Sequence, residues 1–145
     1  MSLVFKSYDF VITKHARERF VERFSNERSK FIHLSRCRNS SCNVCRELTY
    51  DLCEIVFQNR KKWDSIICAK LHDAEEIKVF HNNSEFMAMM YERYGYERFH
   101  FFCESDILFI TKESEDGNVV LTCMDINNPV NNSMILADFI KRPKF

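Results

Sequence analysis

Apolar residues recur at helical spacing early in this chain and at alternate positions late in it, so the mode of burial changes partway along. In the segment His15-Ala16-Arg17-Glu18-Arg19-Phe20-Val21-Glu22-Arg23-Phe24, Ala16, Phe20 and Phe24 fall four apart and make one apolar stripe. The spacing predicts a helix over residues 14–24, entered from a short strand at 9–12 and capped by Thr13. Leu48, Leu52, Ile55, Val56 and Asn59 repeat the helical period and predict a second helix over 46–59. Residues 66–71 read as a strand, with the start of a helix as the alternative. Residues 73–94 read as mostly helical, with Asn82 or Ser84 as cap and Gly95 as stop; Met87, Met89 and Met90 serve there as core packing.

After Gly95 the pattern becomes that of strands. Residues 97–103, 107–112 and 119–126 are rich in Phe, Ile, Val and Thr, and the turns between them lie at 104–106 and 113–117. They predict an antiparallel meander over 97–126, followed by a last helix over 133–141 that closes one edge. Helices first and a sheet afterwards give an α+β domain, with the N-terminal helices laid across one face of a three- to four-stranded antiparallel sheet.

Length and composition narrow this picture to one folded domain, residues 1–145. The chain is 46% hydrophobic and has only two glycines, which excludes low complexity and disorder. No apolar run approaches the length of a membrane span, and the first residues lack the apolar core of a signal peptide, so the expected location is cytoplasmic, with no membrane partner.

The net charge of zero conceals a division. Residues 14–62 hold 12 Lys and Arg against 6 Asp and Glu, and residues 63–128 hold 5 against 13. A basic N-terminal third suits a polyanion, with Arg17, Arg28 and Lys30, and Arg98 further on, as expected RNA contacts; alternatively the basic and acidic halves pair with each other.

The seven cysteines are odd in number and do not read as a disulfide framework. Cys53, Cys68, Cys103 and Cys123 sit in apolar runs as small hydrophobes. His33, Cys37, Cys42 and Cys45 lie instead within thirteen polar residues, and Cys42-x-x-Cys45 is the spacing that lets two thiolates of one tight turn take adjacent tetrahedral positions. A structural zinc is the expected cofactor, with Cys53 as an alternative to His33 for the fourth ligand. It would give cohesion to residues 26–45, an insertion between helices with little apolar material of its own.

His15, Arg19 and Arg23 form a polar stripe beside the apolar one. His15-Ala16-x-x-Arg19-x-x-x-Arg23 after a short strand, with a later meander ending in Val119-Val120-Leu121-Thr122, resembles a family of small bacterial and phage domains. That family carries a His-Ala-x-x-Arg-x-x-x-Arg helix and a Val-x-Thr-like strand, and is similar to the barnase, EndoU, colicin and RelE group of metal-independent ribonucleases and to RegB-type phage endoribonucleases. The resemblance implies functional roles for His15, Arg19, Arg23 and Thr122. The Cys-rich insertion and residues 73–94 depart from the family pattern.

The chemistry of metal-free RNA cleavage suits these residue types. It needs a base for the 2'-hydroxyl proton, an acid for the leaving 5'-oxygen and cations around the phosphorus; histidine serves the first two tasks and arginine the third. His15 is the expected acid or base, Arg19 and Arg23 the phosphate ligands, and no catalytic cofactor is required. His100 is the expected second proton carrier, since alternation in Arg98-Phe99-His100-Phe101-Phe102-Cys103 sets Arg98 and His100 on the face opposite Phe99 and Phe101. The alternatives are an inactive RNA-binding module and a zinc-stabilised module whose partner is a host protein.

Overall fold

The structure, a computed structural model, describes residues 10–125 apart from 38, 40 and 116. The helix expected over 133–141 lies outside the described residues. Strand β1 (Phe10–Ile12) leads into α1 (Lys14–Phe24), and Thr13 fixes the junction. Its hydroxyl accepts from the Ala16 N–H at 3.1 Å and donates to the Val120 carbonyl at 2.8 Å. One side chain thus caps the helix and ties its start to the sheet.

A 3-10 turn (Arg28–Phe31) and the short α2 (Ile32–Arg36) follow, then α3 (Asn43–Gln58) and α4 (Arg60–Asp73). Residues 66–71 are therefore helical, against the strand expectation. Trp63, Ile67 and Leu71 are buried four residues apart, and this stripe, which begins before residue 66, outweighs the strand propensity of two isoleucines.

The stretch expected to be one helix over 73–94 divides into β2 (Glu75–Ile77), a 3-10 turn (Val79–Asn82) and α5 (Ser84–Tyr94). Asn83 caps α5, its side-chain oxygen accepting from the Phe86 N–H at 3.0 Å. Gly95 stops the helix with φ 91° and ψ 177°, a conformation open to glycine almost alone. Three strands complete the sheet: β3 (Phe99–Glu104), β4 (Ile107–Ser114) and β5 (Gly117–Asp125).

The expected meander is present, but among the described residues the sheet has five strands in the order β1-β5-β4-β3-β2. It is mixed, because β1 runs parallel to β5 while the other neighbours are antiparallel. Helices also cover both of its faces, where one was expected. On one side Phe102, Ile107, Phe109, Val120 and Cys123 pack on Ala16, Phe20, Leu52, Val56, Trp63 and Ile67. On the other, Phe99, Phe101, Cys103, Leu108 and Ile110 pack on Phe80, Phe86, Met87 and Met90. Two-sided burial explains why 107–111 is an unbroken buried run rather than an alternating one. Met89 faces outward.

Arg17 joins α1 to α4 through a two-pronged ion pair with Asp64, at 2.6 and 3.2 Å. A register shift between Ile110 and Thr111 skips Leu121 on β5 and turns it toward the α5 layer. Among the described residues no helix is long and apolar enough to cross a membrane.

Candidate functional site

Two groups of side chains stand out, and the first is a cluster of metal-ligating atoms. His33 and Cys37 lie four apart at the end of α2, where the Cys37 N–H donates to the His33 carbonyl at 2.9 Å and closes the turn. Cys42 is the residue before α3, and Cys45 lies in its first turn. The ligand atoms of all four lie within 4.8 Å of one another, close enough to hold one metal ion.

The donor chemistry fits zinc. Zn–S and Zn–N bonds of about 2.3 and 2.0 Å in a tetrahedron put neighbouring donors roughly 3.5 Å apart. The His33 Nε2 to Cys42 Sγ distance is 3.4 Å. Four protein donors leave no open coordination position, which is the pattern of structural zinc and not of catalytic zinc.

The thiols already behave as a set. The Cys45 backbone N–H, then the His33 ring, hold the Cys42 thiolate and bring its pKa down to about 6. Desolvation, then the neighbouring Cys37 and Cys42, push Cys45 up to about 11. A cation at their centre would stabilise every thiolate at once. Cys53, the alternative fourth ligand, is not in this set; its thiol donates to a Glu18 carboxylate oxygen at 3.4 Å.

The second group is the polar stripe of α1. His15 is exposed, and its pKa lies below the usual histidine value. Partial desolvation of the ring is the largest cause, followed by the positive charges of Arg19, Arg23 and Arg93, with Glu18 opposing them. Arg93 lies in the last turn of α5, and its charge is the smallest of these contributions. No spacing in the sequence relates residue 93 to residue 15, and sequence reasoning missed it.

The expected phosphate ligands are partly engaged. Arg19 donates to Glu22 at 2.7 Å, and Arg23 donates to the Cys123 carbonyl at 3.1 Å. Each guanidinium has five N–H groups, so one such bond leaves capacity for an anion.

The other expected site residues fall elsewhere. His100 is on β3 with its Nδ1 at 2.9 Å from Glu76 and its Nε2 at 2.7 Å from Glu113, so both ring nitrogens are occupied. Ile12, Val120, Thr111 and His100 lie in one row of the sheet, which places His100 three strands from β1, about 14 Å at about 4.8 Å per strand. Thr122 is buried on β5 opposite Ile110 and so faces the α5 layer. Among the expected RNA contacts, Arg17 is held by Asp64, Arg28 donates to the Ser25 carbonyl, Lys30 pairs with Glu27, and Arg98 is an exposed cation near Glu113.

The Glu76–His100–Glu113 arrangement links β2, β3 and β4, and it makes stability depend on pH. Partial burial raises the Glu76 pKa, but the His100 hydrogen bond and the Lys78 charge outweigh it and leave the pKa lowered. The His100 hydrogen bond, against weaker desolvation and with help from Arg98, lowers Glu113. Lowered carboxylate pKa values contribute stability above the ordinary value of 4.5, and that stability is lost as pH falls through the depressed values. Thermal unfolding of the chain and of its Glu76→Gln/Glu113→Gln variant should therefore differ at pH 7 and converge as pH drops well below 4.5; a constant difference down to pH 3 would show that these carboxylates do not act this way.

No protein-family model, no curated protein and no solved structure matches the chain, so a functional reading rests on its own residues.

Proposed function

We propose that the protein is a zinc-stabilised module that binds RNA through the basic edge formed by His15, Arg19 and Arg23 of α1 and Arg93 of α5. The observation that carries this reading is the polar stripe of α1, where Arg19, Arg23 and the exposed His15 fall four apart on one helix face. Such a concentration of positive charge suits the phosphates of a polyanion. Zinc, held by His33, Cys37, Cys42 and Cys45, orders the connection between α1 and α3 and has no part in the chemistry of the edge.

Cleavage is the second reading, and the lowered His15 pKa favours it, since it extends the pH range over which that ring can accept a proton. Binding takes precedence because the expected second proton carrier, His100, has both ring nitrogens held by carboxylates.

One experiment tests both readings. Fluorescence anisotropy with a single-stranded RNA should show affinity that falls with salt, with a log–log slope of about −2 if three phosphates are neutralised at about −0.7 each. Arg93→Ala should make that slope shallower by about 0.7 and weaken all RNA sequences alike. No RNA affinity at low salt would overturn the proposal, and stoichiometric capture of one protein would then point to the protein-binding alternative. Products ending in 2',3'-cyclic phosphate, abolished by His15→Ala, would establish cleavage.

A further inference from the structure

An open cavity of about 780 Å³ lies beside α5, which lines it through Met87 and Tyr91. Its lining includes Lys78, His81, Tyr91, Tyr96, Arg98 and Phe99. Tyr96 is 90% exposed, yet its orientation is fixed, because its ring stacks on Tyr91 with centroids 4.9 Å apart and planes 27° apart. Tyr91 in turn packs on the buried Phe99 at 5.9 Å. The turn at Gly95 delivers Tyr96 to this position. An aromatic ring held flat by a second ring, with its outer face in water, is a pre-ordered platform that loses little freedom when another flat group stacks on it.

The cavity lining carries two cations, Lys78 and Arg98, against one carboxylate. Lys78 and Arg98 are exposed cations whose ion pairs, to Glu76 at 3.4 Å and Glu113 at 3.7 Å, are of the weak surface kind. The one carboxylate lining the cavity, Glu97, is held by Lys112 at 3.3 Å. A π face for stacking beside cations for phosphate is the pairing that single-stranded nucleic acids are bound by, since their bases are free to leave the stack. A duplex keeps its bases covered.

We infer that this cavity receives one unpaired base of a single-stranded nucleic acid, stacked on Tyr96, with its phosphate toward Lys78 and Arg98. The inference rests on the RNA-binding reading and extends it. Residues 91 and 93 lie about 200° apart around α5, so the Tyr91–Tyr96 platform and Arg93 flank a helix about 10 Å wide. A single strand crossing the end of α5 would touch both.

Tyr96→Ala and Tyr96→Trp test this in the full chain, the exposure of Tyr96 making both compatible with folding. Tyr96→Ala should weaken binding of an RNA decamer by about tenfold or more, leave the salt slope unchanged, and be restored by Tyr96→Phe. The indole of Tyr96→Trp should be quenched on adding the decamer, and more weakly by adenosine monophosphate. Undiminished RNA binding by Tyr96→Ala, with no quenching, would overturn the inference and leave the basic edge standing. Quenching by the mononucleotide without RNA affinity in the unaltered chain would instead support the base site and overturn the RNA reading. Comparison of RNA with DNA decamers shows whether the 2'-hydroxyl contributes.

Discussion

Replacing Cys42 by Ser should strip the protein of its metal and lower its stability on the order of 4 kcal/mol, the range reached by the loss of a metal or a comparable mechanism. Metal analysis after zinc-replete expression should find about one zinc per chain in the unaltered protein and a small fraction of that in the variant. The effect is large because few of the described side chains of this connection reach the core. Phe31 is buried, Leu34 is half-buried against the core, and Ile32 is 44% exposed. Ordering that backbone costs about 1–2 kcal/mol per residue, which one phenylalanine and a half-buried leucine do not offset. Cys53→Ala is the control and should keep the zinc, because its thiol is turned to Glu18. A metal-free chain after zinc-replete expression, with unfolding indifferent to a chelator, would sink the zinc assignment.

Phe101→Ala should cost about 3–5 kcal/mol, the range for deleting a buried phenylalanine. Phe101 is fully buried at the centre of the layer between β3 and α5, with the Phe80, Phe86 and His81 rings 5.4, 5.5 and 5.1 Å away. Its removal leaves a cavity that three aromatic groups cannot close together. A shift of the urea midpoint at unchanged slope would report the loss, and a change below about 1 kcal/mol would contradict the packing of this layer. RNA affinity should fall as well, since α5 carries Arg93 and Tyr91 and the loosened layer no longer holds them. Tyr96→Ala, by contrast, should leave stability near its original value, which separates damage to the fold from damage to the surface.

Much of the fold was legible in the sequence where its determinants are local. Thr13 and the stripe Ala16, Phe20 and Phe24 specify α1 within three turns, and the structure gives the bounds Lys14–Phe24 that they predict. The strand-rich segments and their turns likewise specify β3, β4 and β5. The metal-ligating set was legible for the same reason, since His33, Cys37, Cys42 and Cys45 occupy one short connection and need only two helix ends to bring them together. The unbroken buried run at 107–111 was a sign of burial on both faces that alternation-based reading passed over.

The remainder depended on contacts between distant segments. Whether 66–71 became helix was decided by the single buried face that Trp63, Ile67 and Leu71 present to the core, which outweighs local strand propensity. His100 looked like a free partner for His15 until the sheet order set it between Glu76 and Glu113. Tyr96 became an exposed platform only when α5 packed on the face opposite α1. The sequence by itself determined the local elements, the basic helix and the four side chains able to hold a metal, because caps, periods and short spacings act within a few residues. Tertiary structure alone decided the sheet order, the second helical layer and the company each site residue keeps, because those follow from how the whole chain shares its buried surface.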